Sequence, residues 1–88
     1  MDKLESMRVY VQVVETRSFA RTAEALGLPR STVSRVIKEL ENGLGLQLLQ
    51  RTTRKLSVTA EGNRYYEASK RILDDITALE SSFPGTHG

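Results

Sequence analysis

The sequence contains no cysteine and no tryptophan, and only one histidine and two prolines. Without cysteine there is no disulfide scaffold, no thiolate nucleophile and no cysteine-ligated zinc site. The single histidine, His87, sits in a polar tail; a catalytic triad or multi-histidine metal centre cannot be assembled from it. No apolar run approaches the ~18 residues that suggest a membrane span. There is no phosphate-cradling glycine motif, and no carboxylate cluster outside the expected helix surfaces, so no enzyme, cofactor or metal is expected. The first residues, Met1-Asp2-Lys3-Leu4-Glu5, are acidic and patterned. They do not read as a secretory signal, and the cytoplasm is the expected location. What is present is 88 residues with 39% hydrophobic and 27% charged content, enough for one modest core.

The net charge is only +2, but it is unevenly spread. Residues 1–16 carry net −1, residues 17–43 net +2, residues 44–71 net +4 and residues 72–88 net −3. A positive middle between acidic ends suggests a polyanionic partner, although a solvated mixed surface gives the same arithmetic.

Asp2 followed by Glu5 matches a helix capping box. Leu4, Met7, Val11 and Val14 then recur at spacings of three and four, which predicts an amphipathic helix over 2–15. Tyr10 and Val13 widen its apolar face. Ser18 is placed to cap a second helix over 19–26, with Phe19, Ala23 and Leu26 inward. Gly27 suits the left-handed turn after it, and Leu28-Pro29 leads into a third helix over 30–42. Val33, Val36, Ile37 and Leu40 form its inner face, and Gly43 and Gly45 are expected to end it. Two helices joined by a short glycine turn, the second with small polar and basic side chains near its exposed start, outline a helix-turn-helix. An ordinary helical hairpin shares that outline.

Residues 46–51 and 56–58 are short and partly alternating, with Thr52-Thr53-Arg54-Lys55 between them. They predict a two-stranded hairpin with a basic tip. After a helix-turn-helix such a hairpin is a wing; the same charges also suit an edge strand kept soluble. Thr59 caps a last helix over 60–82. Tyr65, Ile72 and Leu79 fall seven apart, Ser69, Ile76 and Phe83 form a second register, and Leu73 lies beside them. At ~1.5 Å per residue this helix reaches about 35 Å, longer than one small core covers. The seam is expected to meet a second copy, with a fold back onto its own domain as the alternative. The expected organisation is a mainly α winged helix-turn-helix over 1–58, a linker or dimerisation helix over 59–83, and a tail over 84–88.

From Met7 to Leu73 the residues resemble the N-terminal DNA-binding domain of LysR-type transcriptional regulators. The resemblance is carried by Ser18-Phe19 with Ala23 and Leu26, Val33-Ser34-Arg35, Leu40-Glu41, Leu44-Gly45, Leu48 and Arg51, Arg54, and Thr59 with Gly62. It implies three helices and a wing, followed by a helix through which two chains pair. Five positions depart from the family's habit. Arg17 stands where glycine usually ends the first helix, Ala20 replaces a hydroxyl residue, Pro29-Arg30 replaces Ser-Gln, and Leu49 replaces phenylalanine. The family's C-terminal effector-binding domain has no counterpart in these residues, so no small-molecule effector is assigned to them.

The implied partner is duplex DNA carrying an inverted repeat, read by a homodimer. Arg30, Ser31, Thr32 and Ser34 occupy the first turns of the recognition helix, with Arg30 the candidate for a bidentate contact to guanine. Thr32 or Val33 is placed for a thymine methyl, with inward packing the favoured place for Val33. Arg35 and Lys38 are expected on phosphates, with base reading the alternative for Arg35. Arg54 and Lys55 are expected on flanking backbone or in the minor groove, and Thr52 and Thr53 as hydroxyl donors to phosphate. Arg51 divides evenly between fold and phosphate. Tyr65, Ile72, Leu73, Ile76, Leu79 and Phe83 are the expected dimer contacts. The main rival is a winged helix that docks proteins. An RNA reader is disfavoured because the aromatics fall on core or seam stripes.

Overall fold

The computed structural model describes residues 1–83; the expected tail over 84–88, with His87, lies outside them. Helix α1 spans Lys3–Thr16, α2 Phe19–Leu26 and α3 Arg30–Leu44. Strands β1 (Leu49–Arg51) and β2 (Leu56–Val58) follow, then α4 (Ala60–Ser81). This is the mainly helical winged helix-turn-helix that the sequence predicts.

The helix starts are made locally. Asp2 Oδ1 accepts from the Glu5 amide at 2.8 Å, Ser18 Oγ from Arg21 at 3.0 Å and Thr59 Oγ1 from Gly62 at 2.9 Å. Each satisfies an amide that the first turn leaves unpaired. Glu5 turns toward Arg8 (3.8 Å). The first three helices each end in a left-handed residue: Arg17 (φ 55°), Gly27 (φ 67°) and Gly45 (φ 68°). Arg17 is the exception among them. A side chain in that region costs roughly 1–2 kcal/mol relative to a right-handed one. Its amide still closes the helix onto the Val13 carbonyl at 2.8 Å.

The core is one cluster. Val9, Tyr10, Val13 and Val14 of α1 meet Phe19 and Ala23 of α2, the inner face of α3, and Leu48 and Leu49. Tyr10 is fully buried and its hydroxyl donates to the Gly62 carbonyl at 2.8 Å. Burial above all, with Glu41 adding, pushes that phenol far above its ordinary pKa. The Tyr65 ring packs edge-on against Tyr10, centroids 5.4 Å apart. Gly62 and Ser69 of α4 are buried. The first half of α4 thus belongs to the core, and Tyr65 and Ser69, expected in the intermolecular seam, are turned onto their own chain.

Several expectations are corrected in detail. Helix α3 runs through Gly43 to Leu44, because the left-handed turn that stops it is at Gly45. Strand β1 begins at Leu49, not at residue 46. Leu48 is wholly buried, and its carbonyl accepts from the Thr59 amide at 3.0 Å and the Thr59 hydroxyl at 3.1 Å rather than from a strand partner. Leu4 and Leu26, expected inward, remain 41% and 38% exposed. Val9 and Thr22 are buried instead, Thr22 bonded through its hydroxyl to Thr16 at 3.0 Å.

Candidate nucleic-acid interface

Val33, Val36, Ile37 and Leu40 anchor α3 in the core. Arg30, Ser31, Arg35 and Lys38 are therefore held on its outer surface, with Thr32 and Ser34 half-buried beside them. Val33 is fully buried, which removes it as a contact to a base methyl. Among the described residues, helix α3 is also the one α-helix whose cap has no side-chain bond, since Pro29 precedes it. The Thr32 amide is taken by the Pro29 carbonyl at 3.0 Å, and the Arg30 and Ser31 amides have no side-chain acceptor at the end where a helix attracts anions.

The wing is set against this helix by a carboxylate. Glu41 Oε2 accepts from the Leu48 amide at 2.7 Å and the Leu49 amide at 3.1 Å. That ties the end of α3 to the entry of β1. The strands pair antiparallel, Leu49 with Val58, Gln50 with Ser57 and Arg51 with Leu56. Two three-residue strands are marginal alone. Here they are fixed by Leu49 in the core, with Leu56 and Val58 packed against it. The Arg51 guanidinium lies 4.5 Å over the Phe19 ring, a cation–π contact joining the wing to α2.

The turn closes on itself. The Thr52 amide donates to the Lys55 carbonyl at 2.9 Å, and its hydroxyl accepts from the Arg54 and Lys55 amides at 3.3 and 3.0 Å. The hydroxyl also donates to the Lys55 carbonyl at 3.2 Å. Thr52, expected as a phosphate donor, is engaged in shaping the wing. Thr53, Arg54 and Lys55 remain exposed at its tip.

Between the start of α3 and the wing lies an open cleft of about 380 Å³. Five cations line it, Arg17, Arg30, Arg51, Arg54 and Lys55, with Ser34 on its α3 side and no carboxylate. Such a lining concentrates positive potential where a polyanion would lie. Ser31, Thr32, Arg35, Lys38 and Thr53 are not part of the cleft wall. Arg35 instead faces Glu39 at 3.6 Å, an exposed pair that dilutes its charge. Sequence reading did not place Arg17 in the site and left Arg51 undecided. The available signal for Arg17 was a charged residue at a helix-ending position that favours glycine.

Beyond Ser69, α4 leaves the core. Leu73 and Ile76 are half-buried, while Ile72 is 45%, Leu79 60% and Phe83 53% exposed. Nearer its start, Tyr65 and Ala68 line a groove with Leu44 and Leu46.

Known proteins share this fold. Residues 4–63 match the family profile described as bacterial regulatory helix-turn-helix protein, lysR family. The HTH-type transcriptional regulator CrgA of Neisseria meningitidis is 48% identical over 83 residues, covering 94% of this chain and 28% of that protein. An HTH-type transcriptional repressor of Pseudomonas aeruginosa is 46% identical over 85 residues, covering 97% and 27%. The chain thus spans about a quarter of the length of these curated relatives. Among solved structures, the BenM DNA-binding domain bound to catB site 1 DNA superposes with a TM-score of 0.88 at 34% identity, covering 92% of this chain and 91% of that one. The chain belongs to the LysR family of bacterial regulatory helix-turn-helix proteins and has the fold of that family's DNA-binding domain.

Proposed function

We propose that this chain binds duplex DNA sequence-specifically, as a homodimer joined through α4, at an inverted-repeat operator in the bacterial cytoplasm. The observation that carries the reading is the cleft of five cations and no carboxylate between the recognition helix and the wing. The BenM domain of the same fold is described in complex with DNA, which supports that partner class. Arg30, exposed on the first turn of α3, takes the base-reading role, with Ser31, Thr32 and Ser34 beside it. Lys38 and Arg35 hold phosphates along the groove, and Thr53, Arg54 and Lys55 hold the flanking backbone. Arg51 serves both sides, stacked on Phe19 and lining the cleft. The exposed apolar residues of α4, Ile72, Leu79 and Phe83, with Leu73 and Ile76, supply the pairing surface. Effector response would reside in a further domain.

Arg30 and Lys55 separate reading from holding. On a duplex that the wild-type chain prefers, Arg30→Ala should lose about 1–3 kcal/mol of discrimination at one base pair of each half-site. Lys55→Ala should weaken every sequence alike and reduce the slope of log K against log salt by about 0.9 for each phosphate contact it removes. Binding titrations on a panel of single-base variants at several salt concentrations measure both. A Lys55→Ala variant that changes preference while Arg30→Ala does not would reverse the roles of wing and helix.

A further inference from the structure

We propose that Arg17, at the turn between α1 and α2, is a phosphate clamp, its charge held at the cleft at the expense of backbone strain. The inference rests on the DNA-binding reading and adds a contact to it. Three helices end here in the left-handed conformation, two of them with glycine and α1 with Arg17 at φ 55°. Glycine closes such a turn without strain, so closing the turn does not require arginine. The arginine does not serve the folded chain by pairing either. Among the described residues it has no carboxylate within ion-pair distance, unlike Arg8, Arg35 and Lys70.

What it does have is position. Arg17 lines the cleft with Arg30 and Arg54, and also an adjoining groove with Lys55 and Ser57. It is exposed and stands where the two grooves share a wall with Arg54 and Lys55. A backbone phosphate following the wing past the start of α2 meets this guanidinium, whose fork suits two phosphate oxygens. Ser18, the cap of α2, lies next to it on the same wall.

The proposal predicts opposite signs for stability and binding in one variant. Arg17→Gly relieves the left-handed strain and should raise Tm by a few degrees. It should also lower the salt slope of DNA binding by about 0.9, one phosphate contact, which corresponds to roughly eightfold weaker binding near 0.1 M salt relative to 1 M. Arg17→Asn, neutral but tolerant of the same backbone, should lose binding similarly. Arg17→Lys, which keeps the charge, should retain most of the slope. The measurement is a fluorescence-anisotropy titration of a duplex over a range of salt, with thermal unfolding of the same samples. Unchanged affinity and slope in Arg17→Gly would overturn the clamp, as would an equal loss in Arg17→Lys, which would assign the effect to shape. A wild-type chain with no salt-dependent retention of duplex DNA would instead sink the DNA-binding reading itself.

Discussion

Gly62→Ala should destabilise the folded domain by about 2–4 kcal/mol, out of a total of roughly 4–13 kcal/mol for a chain of this size. Gly62 is buried in the first turn of α4, where that helix crosses the core. A methyl group there would overlap the Leu48 carbonyl oxygen and lie 2.7 Å from Val58 Cγ1 and 2.8 Å from the Tyr10 hydroxyl. The first of these is backbone, held on its far side by Thr59, whose amide donates to it at 3.0 Å. It cannot swing aside as a long side chain would. Overpacking of this kind costs about 1–3 kcal/mol. Displacing the helix would also break the Tyr10 bond to the Gly62 carbonyl, worth about 1 kcal/mol. Urea unfolding followed by circular dichroism measures the loss, with Asn63→Ala on the exposed side of the same turn as the control. A Gly62→Ala midpoint equal to that of the control would show that α4 is not seated as described.

The second large effect concerns pairing. Ile76→Asp should convert the protein to a monomer in sedimentation and weaken binding to a two-half-site duplex by ~100-fold or more, because joined readers gain about 10²–10⁴ in avidity. A carboxylate placed in an apolar interface is desolvated without a partner. Ile76 is half-buried within its own chain, so Leu79→Asp, at a position 60% exposed, provides the companion variant with little role in the fold. Both should bind a single half-site as the wild type does. An unchanged mass for both variants would remove α4 as the pairing element.

The parts of this fold legible in the sequence are those decided by near neighbours. Asp2, Ser18 and Thr59 cap the helices they precede because the acceptor and the amide lie three residues apart. The inner face of α3 follows from helical spacing alone. What sequence reading misplaced depends on distant partners. Leu46 to Leu48 alternate like a strand, but Leu48 is drawn into the core and its carbonyl is taken by Thr59, eleven residues on. Gly43 looks like a helix end, yet the turn occurs two residues later, and Glu41 then holds the next segment through Leu48 and Leu49. Ser69 fits a heptad seam by spacing, but it is buried within its own chain, which only tertiary packing decides.

The site divides the same way. Arg30, Arg54 and Lys55 are legible as basic residues on a recognition helix and a wing tip. Thr52 is not legible as the wing's internal clasp, because its hydroxyl bonds depend on the turn's geometry. Arg51, on strand β1, is joined to the cleft by its contact with Phe19 of α2, a pairing that spacing along the chain does not reveal.

The central claim, a dimeric and sequence-specific reader of duplex DNA, is tested most directly by selection from randomised duplexes near physiological salt with excess scrambled competitor. The account predicts enrichment of an inverted repeat whose half-sites lie about one helical turn apart or slightly more. Retention of all sequences alike, lost together as salt rises, would contradict it.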